Sequence, residues 1–77
     1  MPTIRYWAGA KAAAGVESEV VEADSVTAAL QQVTAARPAL GLVVPHCAVL
    51  VGGRRVEGDH TVAPDDVIEL LPPFAGG

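Results

Sequence analysis

The segment from Ser25 to Ala36 is the one good helix in this sequence, and it constrains everything around it. Val26, Ala29, Leu30 and Val33 recur at i, i+3, i+4 and i+7, giving a single apolar stripe. Thr27, Gln31, Gln32 and Thr34 fall on the other side. Asp24-Ser25 starts the helix, with Ser25 as N-cap, and Pro38 stops it near Ala36. A helix with one apolar stripe needs one apolar surface to cover. The remaining segments read as short strands, so the chain predicts one helix laid across one face of a sheet.

The first strand is expected over Thr3 to Ala8, with Ile4, Tyr6 and Ala8 on one face and Arg5 and Trp7 on the other. Gly9 to Ala14 is Ala-rich but too short for a stable isolated helix, so it reads as a turn or a single helical twist closed by Gly15. A second strand over Glu17 to Glu22 has an ambiguous register, and its glutamates suggest an exposed or edge strand. An irregular apolar stretch, Ala39 to Val44, follows the helix. The third strand is His46 to Val51, Gly52-Gly53 is a two-residue hairpin turn, and Arg54 to Glu57 is the return strand. Gly58-Asp59 and Pro64-Asp65-Asp66 are turns. The fifth strand, Val67 to Leu71, points Ile68 and Leu70 inward and Glu69 outward, and Pro72-Pro73 ends the pairing. The order β, β, α, β, β, β fits an α+β chain. Its mixed five-stranded sheet has the first and last strands parallel and adjacent, a β-grasp (ubiquitin-like) fold. The expected core is Ile4, Tyr6, Val21, Val26, Leu30, Val33, Leu42, Val49, Val51, Ile68 and Leu70.

At 77 residues the chain has room for one small domain, expected over residues 1–71, followed by a tail over 72–77. A self-contained enzyme with an enclosed pocket does not fit that size. Apolar residues at 51% and charged residues at 18% argue against intrinsic disorder. With Tyr6, Trp7 and Phe74 as its aromatics, the core is thin. A net charge of −4 leaves no basic stripe for nucleic acid or for an anionic membrane. No apolar run approaches a membrane span, and the N-terminal residues lack a signal-peptide layout. The single cysteine, Cys47, makes no internal disulfide, so the reducing cytoplasm is the expected compartment.

The last six residues, Pro72-Pro73-Phe74-Ala75-Gly76-Gly77, leave a strand with nothing further to build. Two prolines favour an extended exit, and two glycines pass through a narrow channel without steric cost. The segment is suited to presenting its terminal carboxylate to another protein's active site. An inert, fraying end is the alternative.

Set after a β-grasp pattern, this ending resembles the sulfur carriers of the MoaD family, the small subunits of molybdopterin synthase, related to the ThiS-like carriers of the thiamin pathway. The resemblance covers the whole chain. It includes Ile4-Arg5-Tyr6-Trp7-Ala8 with Lys11-Ala12 and the helix start Ser25 to Leu30. It also includes Gly52-Gly53, Pro64-Asp65-Asp66-Val67 and, most specifically, Leu71 to Gly77. The resemblance implies that an adenylating enzyme activates the Gly77 carboxylate with ATP and that a sulfur donor enzyme converts it to a thiocarboxylate. The tail then enters the large synthase subunit, in an implied heterotetramer, and gives its sulfur to cyclic pyranopterin monophosphate in molybdenum cofactor biosynthesis. Gly77 is then the covalent carrier and Gly76 supplies flexibility. The resemblance also implies a non-catalytic subunit, with acid–base groups supplied by its partners. No cofactor bound by this chain is expected, ATP being used by the activating enzyme, and no metal. Lys11 stands where family members often carry arginine, and loses that residue's bidentate geometry.

Trp7, Lys11, Pro73, Phe74 and Ala75 are the expected partner-binding residues. For Trp7 the alternative is ordinary packing on the sheet surface; for Phe74 it is folding back onto the domain. His46 and Cys47, adjacent on a strand, point to opposite faces and do not suit joint chemistry. Cys47 is expected as a buried strand residue and His60 as a loop histidine. Asp59, Asp65 and Asp66 lack the spacing of a calcium loop. Other acceptors (thiamin thiazole, cysteine, tRNA) remain open, as do a non-covalent ubiquitin-like binding module and protein conjugation.

Overall fold

Residues 1–73 are described in a computed structural model of the chain. Five strands form one sheet in the order β2-β1-β5-β3-β4, where β1 is Thr3–Tyr6, β2 Ser18–Val20, β3 Ala48–Val51, β4 Arg54–Val56 and β5 Val67–Leu71. β1 and β5 are parallel and adjacent, pairing Ile4 with Ile68 and Tyr6 with Leu70; the other three pairings are antiparallel. This is the expected β-grasp architecture.

Two helices cover one face, α1 (Ala8–Ala14) and α2 (Val26–Ala36). Ile4, Tyr6, Ile68, Leu70 and Val51 point up from the sheet, and Val26, Ala29 and Val33 of α2 come down onto them. Ser25 caps α2 as expected, its side chain accepting the Ala28 N–H at 3.2 Å. A second side chain, a carboxylate, serves the same helix end: Asp59 Oδ1 accepts the Thr27 N–H at 3.0 Å. That bond and the one from the His60 N–H hold the Asp59 carboxyl below its ordinary range. The Gly58-Asp59 turn is thereby stitched to the start of α2.

Several boundaries differ from expectation, β2 and β4 by being shorter than the segments expected for them. β1 ends at Tyr6, because Ala8 turns left-handed (φ 48) and opens α1. The Ala-rich segment is a full α-helix, not a turn: burial of Ala10 and Ala14 supplies the tertiary support an isolated helix of that length lacks. Gly15 closes it in the left-handed region at φ 78, as its residue type predicts. β3 starts at Ala48, because Val44–His46 forms a 3-10 turn. Cys47 is therefore half-buried just ahead of the strand, not inside it. Its Sγ lies 3.4 Å from the Val43 carbonyl, and burial pushes the thiol pKa up.

The core differs at one leucine. Leu42, expected inside, is 81% exposed, while Leu40 is fully buried. Pro38–Leu42 is a 3-10 helix, in which residues three apart share a side. Leu40 and Val43 turn inward together, and Ala39 and Leu42 turn outward together. Burying either leucine would be worth the same, about 1.5–3 kcal/mol, so it is the 3-10 register that settles which of the two is enclosed. Leu30 and Val49 are half-buried, and Ala10, Ala14, Ala29 and Val62 complete a core made mainly of small side chains.

Candidate functional site: the root of the C-terminal segment

β5 is the last element, and where it leaves the sheet decides where the following residues start. The Trp7 N–H donates to the Leu70 carbonyl at 3.2 Å, adding one rung to the β1–β5 ladder beyond Tyr6. Leu71 and Pro72 are half-buried and Pro73 is exposed. Pro72 and Pro73 have no N–H to donate, so pairing ends here. Phe74, Ala75, Gly76 and Gly77, expected as tail and carrier residues, lie outside the described residues.

The chain reverses directly beside this exit. After Trp7, Ala8 takes its left-handed conformation and α1 begins, its first turn closed by the Ala10 N–H bonding the Trp7 carbonyl at 2.9 Å. Gly9 thereby faces Pro72: a Cβ built on Gly9 would lie 4.0 Å from the proline Cγ.

Trp7 is on the outer sheet face, as its position in the strand predicts, and is 38% exposed. Its Nε1–H donates to Glu69 Oε2 at 2.9 Å, and the Arg5 guanidinium sits over its ring, 4.8 Å from the centroid. Arg5 and Glu69 are register partners across the parallel pair, and Leu50 and Arg55 continue the same row. The row gives an outer face with two cations, one carboxylate and apolar contact area. Val67 and Val20 stand nearby on the same face, 37% and 56% exposed.

Lys11 does not share that face. It lies on α1, its Nζ 3.1 Å from Glu17 Oε1, and both side chains are largely exposed. The hydrogen bond and charge of Lys11 hold the Glu17 carboxyl below its usual value. A shallow groove of about 410 Å³, lined by Ala8, Lys11, Ala12, Gly15, Val16 and Glu17, runs along this side of α1. Trp7 and Lys11, both expected to touch a partner, thus flank the root on different surfaces. Reading the sequence alone did not single out Gly9 or Glu69. Glu69 was legible in principle, since a parallel first and last strand must place it beside Arg5.

His46, Cys47 and His60 form no joint site. His46 closes a 3-10 turn, and His60 is exposed after the Gly58-Asp59 turn. Among the described residues no group of three or more His, Cys, Asp or Glu side chains is placed to hold a metal ion. No helix among them is long and apolar enough to cross a membrane.

The comparisons with known proteins agree with this geometry. The ThiS family model matches residues 4–77. No curated protein matches the chain. Among solved structures, small archaeal modifier protein 1 from Methanosarcina acetivorans aligns with a TM-score of 0.87 and 23% identity, over 99% of this chain and 95% of that one. Small archaeal modifier protein 1 from Haloferax volcanii aligns at 0.83 and 28%, over 99% and 98%. A complex of subunits 1 and 2 of the molybdopterin-converting factor from Helicobacter pylori aligns at 0.75 and 21%, over 99% and 97%. The chain belongs to the ThiS family, within the MoaD/ThiS superfamily of ubiquitin-like sulfur carriers.

Proposed function

We propose that this protein is the sulfur-carrying small subunit of a molybdopterin synthase. The observation that carries the reading is the run Leu71-Pro72-Pro73-Phe74-Ala75-Gly76-Gly77, which follows the central strand β5 and lies within the family match. A carboxylate is a poor electrophile. Adenylation with ATP makes the Gly77 carbonyl carbon open to attack, with pyrophosphate released. A sulfur nucleophile then displaces AMP, and the resulting thiocarboxylate is anionic and strongly nucleophilic at neutral pH. In this scheme Gly77 is the group transferred to and from, and acid–base groups come from the partner enzymes. The likeness to a converting-factor subunit 1 held in complex with subunit 2 supports a large-subunit partner.

The test uses the whole chain with an adenylating enzyme, ATP and a sulfur donor. Intact mass spectrometry should show one oxygen exchanged for sulfur, and the large synthase subunit should be retained by the loaded protein. Deleting Gly77 should abolish the exchange; exchange that survives the deletion overturns the reading.

A second reading is favoured by the 28% identity to the Haloferax modifier protein. In it the activated Gly77 is passed to amines of other proteins. Its signature is Gly77 joined to a lysine side chain of a target, found by peptide mapping, with no transfer to a pterin.

A further inference from the structure

Trp7 is the single tryptophan of the chain, and its one polar side-chain atom is already engaged within the domain. The indole N–H donates to Glu69 Oε2 at 2.9 Å, and the Arg5 guanidinium lies over the ring, 4.8 Å from its centroid. One contact holds the polar edge of the ring and the other covers a face. A tryptophan turns about two side-chain bonds, and contacts at two separate parts of the ring oppose rotation about either. With the N–H engaged, what Trp7 still offers a neighbour is ring carbon.

Position says which neighbour this is. The chain leaves the sheet at Pro72, two residues past the Leu70 carbonyl that accepts the Trp7 backbone N–H. Four residues follow Pro73. Fully extended, a stretch of that length reaches at most about 14 Å. An enzyme working on the Gly77 carboxylate therefore approaches Pro73 at least that closely. Tyr6 is buried, so Trp7, 38% exposed, is the aromatic the described domain presents at this exit. Ordering a mobile side chain at an interface weakens association by about 2–10-fold, and a ring held beforehand avoids that loss.

We infer that Glu69 is a positioning residue for docking. It holds the Trp7 indole in one orientation before a partner arrives, so that the enzyme taking up the C-terminal end meets a rigid ring. The matching pocket is apolar and needs no acceptor for the indole N–H. In the reading above that enzyme is the large synthase subunit, and the docking half of the inference rests on that reading. The holding half rests on the contacts of Trp7 alone.

The test uses the full chain, with Trp7 as its own fluorophore. In the free wild-type protein, time-resolved anisotropy should show the indole tumbling with the whole domain. Glu69→Ala should add a fast local component; Glu69→Gln, which keeps an acceptor oxygen, should not. By calorimetry, Kd for the large synthase subunit should rise about 2–10-fold in Glu69→Ala and stay near wild type in Glu69→Gln. Combined with Trp7→Phe, which has no N–H to hold, Glu69→Ala should change Kd no further. Glu69→Thr, a strand former too short to reach the indole, replaces Glu69→Ala should that variant fail to fold.

Wild-type anisotropy in Glu69→Ala overturns the inference. So does an equal loss of affinity with and without Trp7→Phe, which would place Glu69 itself against the partner. If wild type binds the large subunit and Glu69→Ala binds it equally well, the synthase reading stands and the inference falls. If wild type does not bind it, the synthase reading falls together with the docking half, and the anisotropy decides whether Glu69 holds the ring.

Discussion

The two edges of the sheet are held by different means. At the β2 edge a polar network does the work. Glu19 sits on the inner face opposite Ile4 and accepts hydrogen bonds from the Tyr6 hydroxyl and from Arg37 Nε at 2.8 Å and Nη2 at 3.3 Å. Arg37 Nη1 also donates to the Ala14 carbonyl at 2.7 Å. One guanidinium thus joins β2, the end of α1 and the end of α2. At the β4 edge there is no such network: among the described residues neither Arg54 nor Arg55 makes an ion pair. That edge is held by its ladder to β3 and by the Gly52-Gly53 turn, at φ 59 and 81. The comparison teaches that a strand with poor apolar alternation is fixed by side-chain partners distant in sequence, and a strand beside a good turn is fixed locally.

The largest expected effect follows from breaking the network at Arg37. Arg37→Leu leaves Glu19 half-buried with only Tyr6 as donor, and an uncompensated carboxylate is costly to enclose. It should destabilise more than Tyr6→Phe, which removes one charge-assisted hydrogen bond worth about 2 kcal/mol. The pH dependence supplies the signature. Burial works to raise the Glu19 pKa, but the bonds from Arg37 and Tyr6 outweigh it and hold the carboxyl below its ordinary 4.5. A group depressed on folding contributes stability that is present above its unfolded value and lost as pH falls through its folded value. The gap between wild type and Arg37→Leu in urea midpoints should therefore be widest above about pH 5 and narrow on acidification. A gap that stays constant with pH would mean Arg37 acts through packing alone. At the alkaline end the Tyr6 pKa is raised, first by burial and then by the Glu19 hydrogen bond and charge. Its contribution is intact below the unfolded value of 10.0 and declines as pH rises beyond it, a decline Tyr6→Phe should remove.

The same contrast explains what could be read in advance. β5 was legible residue by residue, because Ile68 and Leu70 alternate with Glu69 and two prolines mark its end. The β3–β4 hairpin was legible from Gly52-Gly53. β2 was not, since its register depends on Glu19 meeting Tyr6 and Arg37, and nothing in the local pattern of Glu17, Glu19, Val20 and Val21 reveals those partners. Val20 ends up 56% exposed and Val21 1%. The exchange of Leu40 for Leu42 has a similar origin: a 3-10 period of three looks irregular when tested only against periods of two and 3.6. At the root of the C-terminal segment, Trp7 was visible as an outer-face aromatic. Its hydrogen bond to Glu69, and the approach of Gly9 to Pro72, exist only once β1 and β5 lie side by side.

At the β4 edge the expected effect is smaller and purely conformational. A Cβ on Gly53 would meet nothing within 4 Å, so Gly53→Ala tests φ 81 alone. Forcing a side chain into that region costs about 1–2 kcal/mol. The loss should be confined to β3–β4: amide exchange should speed up at Val49, Val51 and Val56 and leave β1 and β2 unchanged. Acceleration across the whole sheet would show that the two edges unfold as one unit, removing the distinction between them.

The smallest effect should come from the reverse substitution on the other side of the molecule. Ala8 already occupies the left-handed region, at φ 48, at the corner where β1 becomes α1. Ala8→Gly relieves about 1 kcal/mol of that conformational cost. It also frees the unfolded chain by about 0.5–1 kcal/mol, so the two terms nearly cancel. Stability should stay within about 0.5 kcal/mol of wild type, the difference between those two terms. This corner tolerates a strained alanine because its neighbours are fixed independently, Trp7 by Leu70 and Glu69 and the far end of α1 by Arg37 on Ala14. If Ala8→Gly instead costs as much as Gly53→Ala, the alanine methyl is packing against something the exposed corner does not show, and the polar network is not what lets α1 begin where it does.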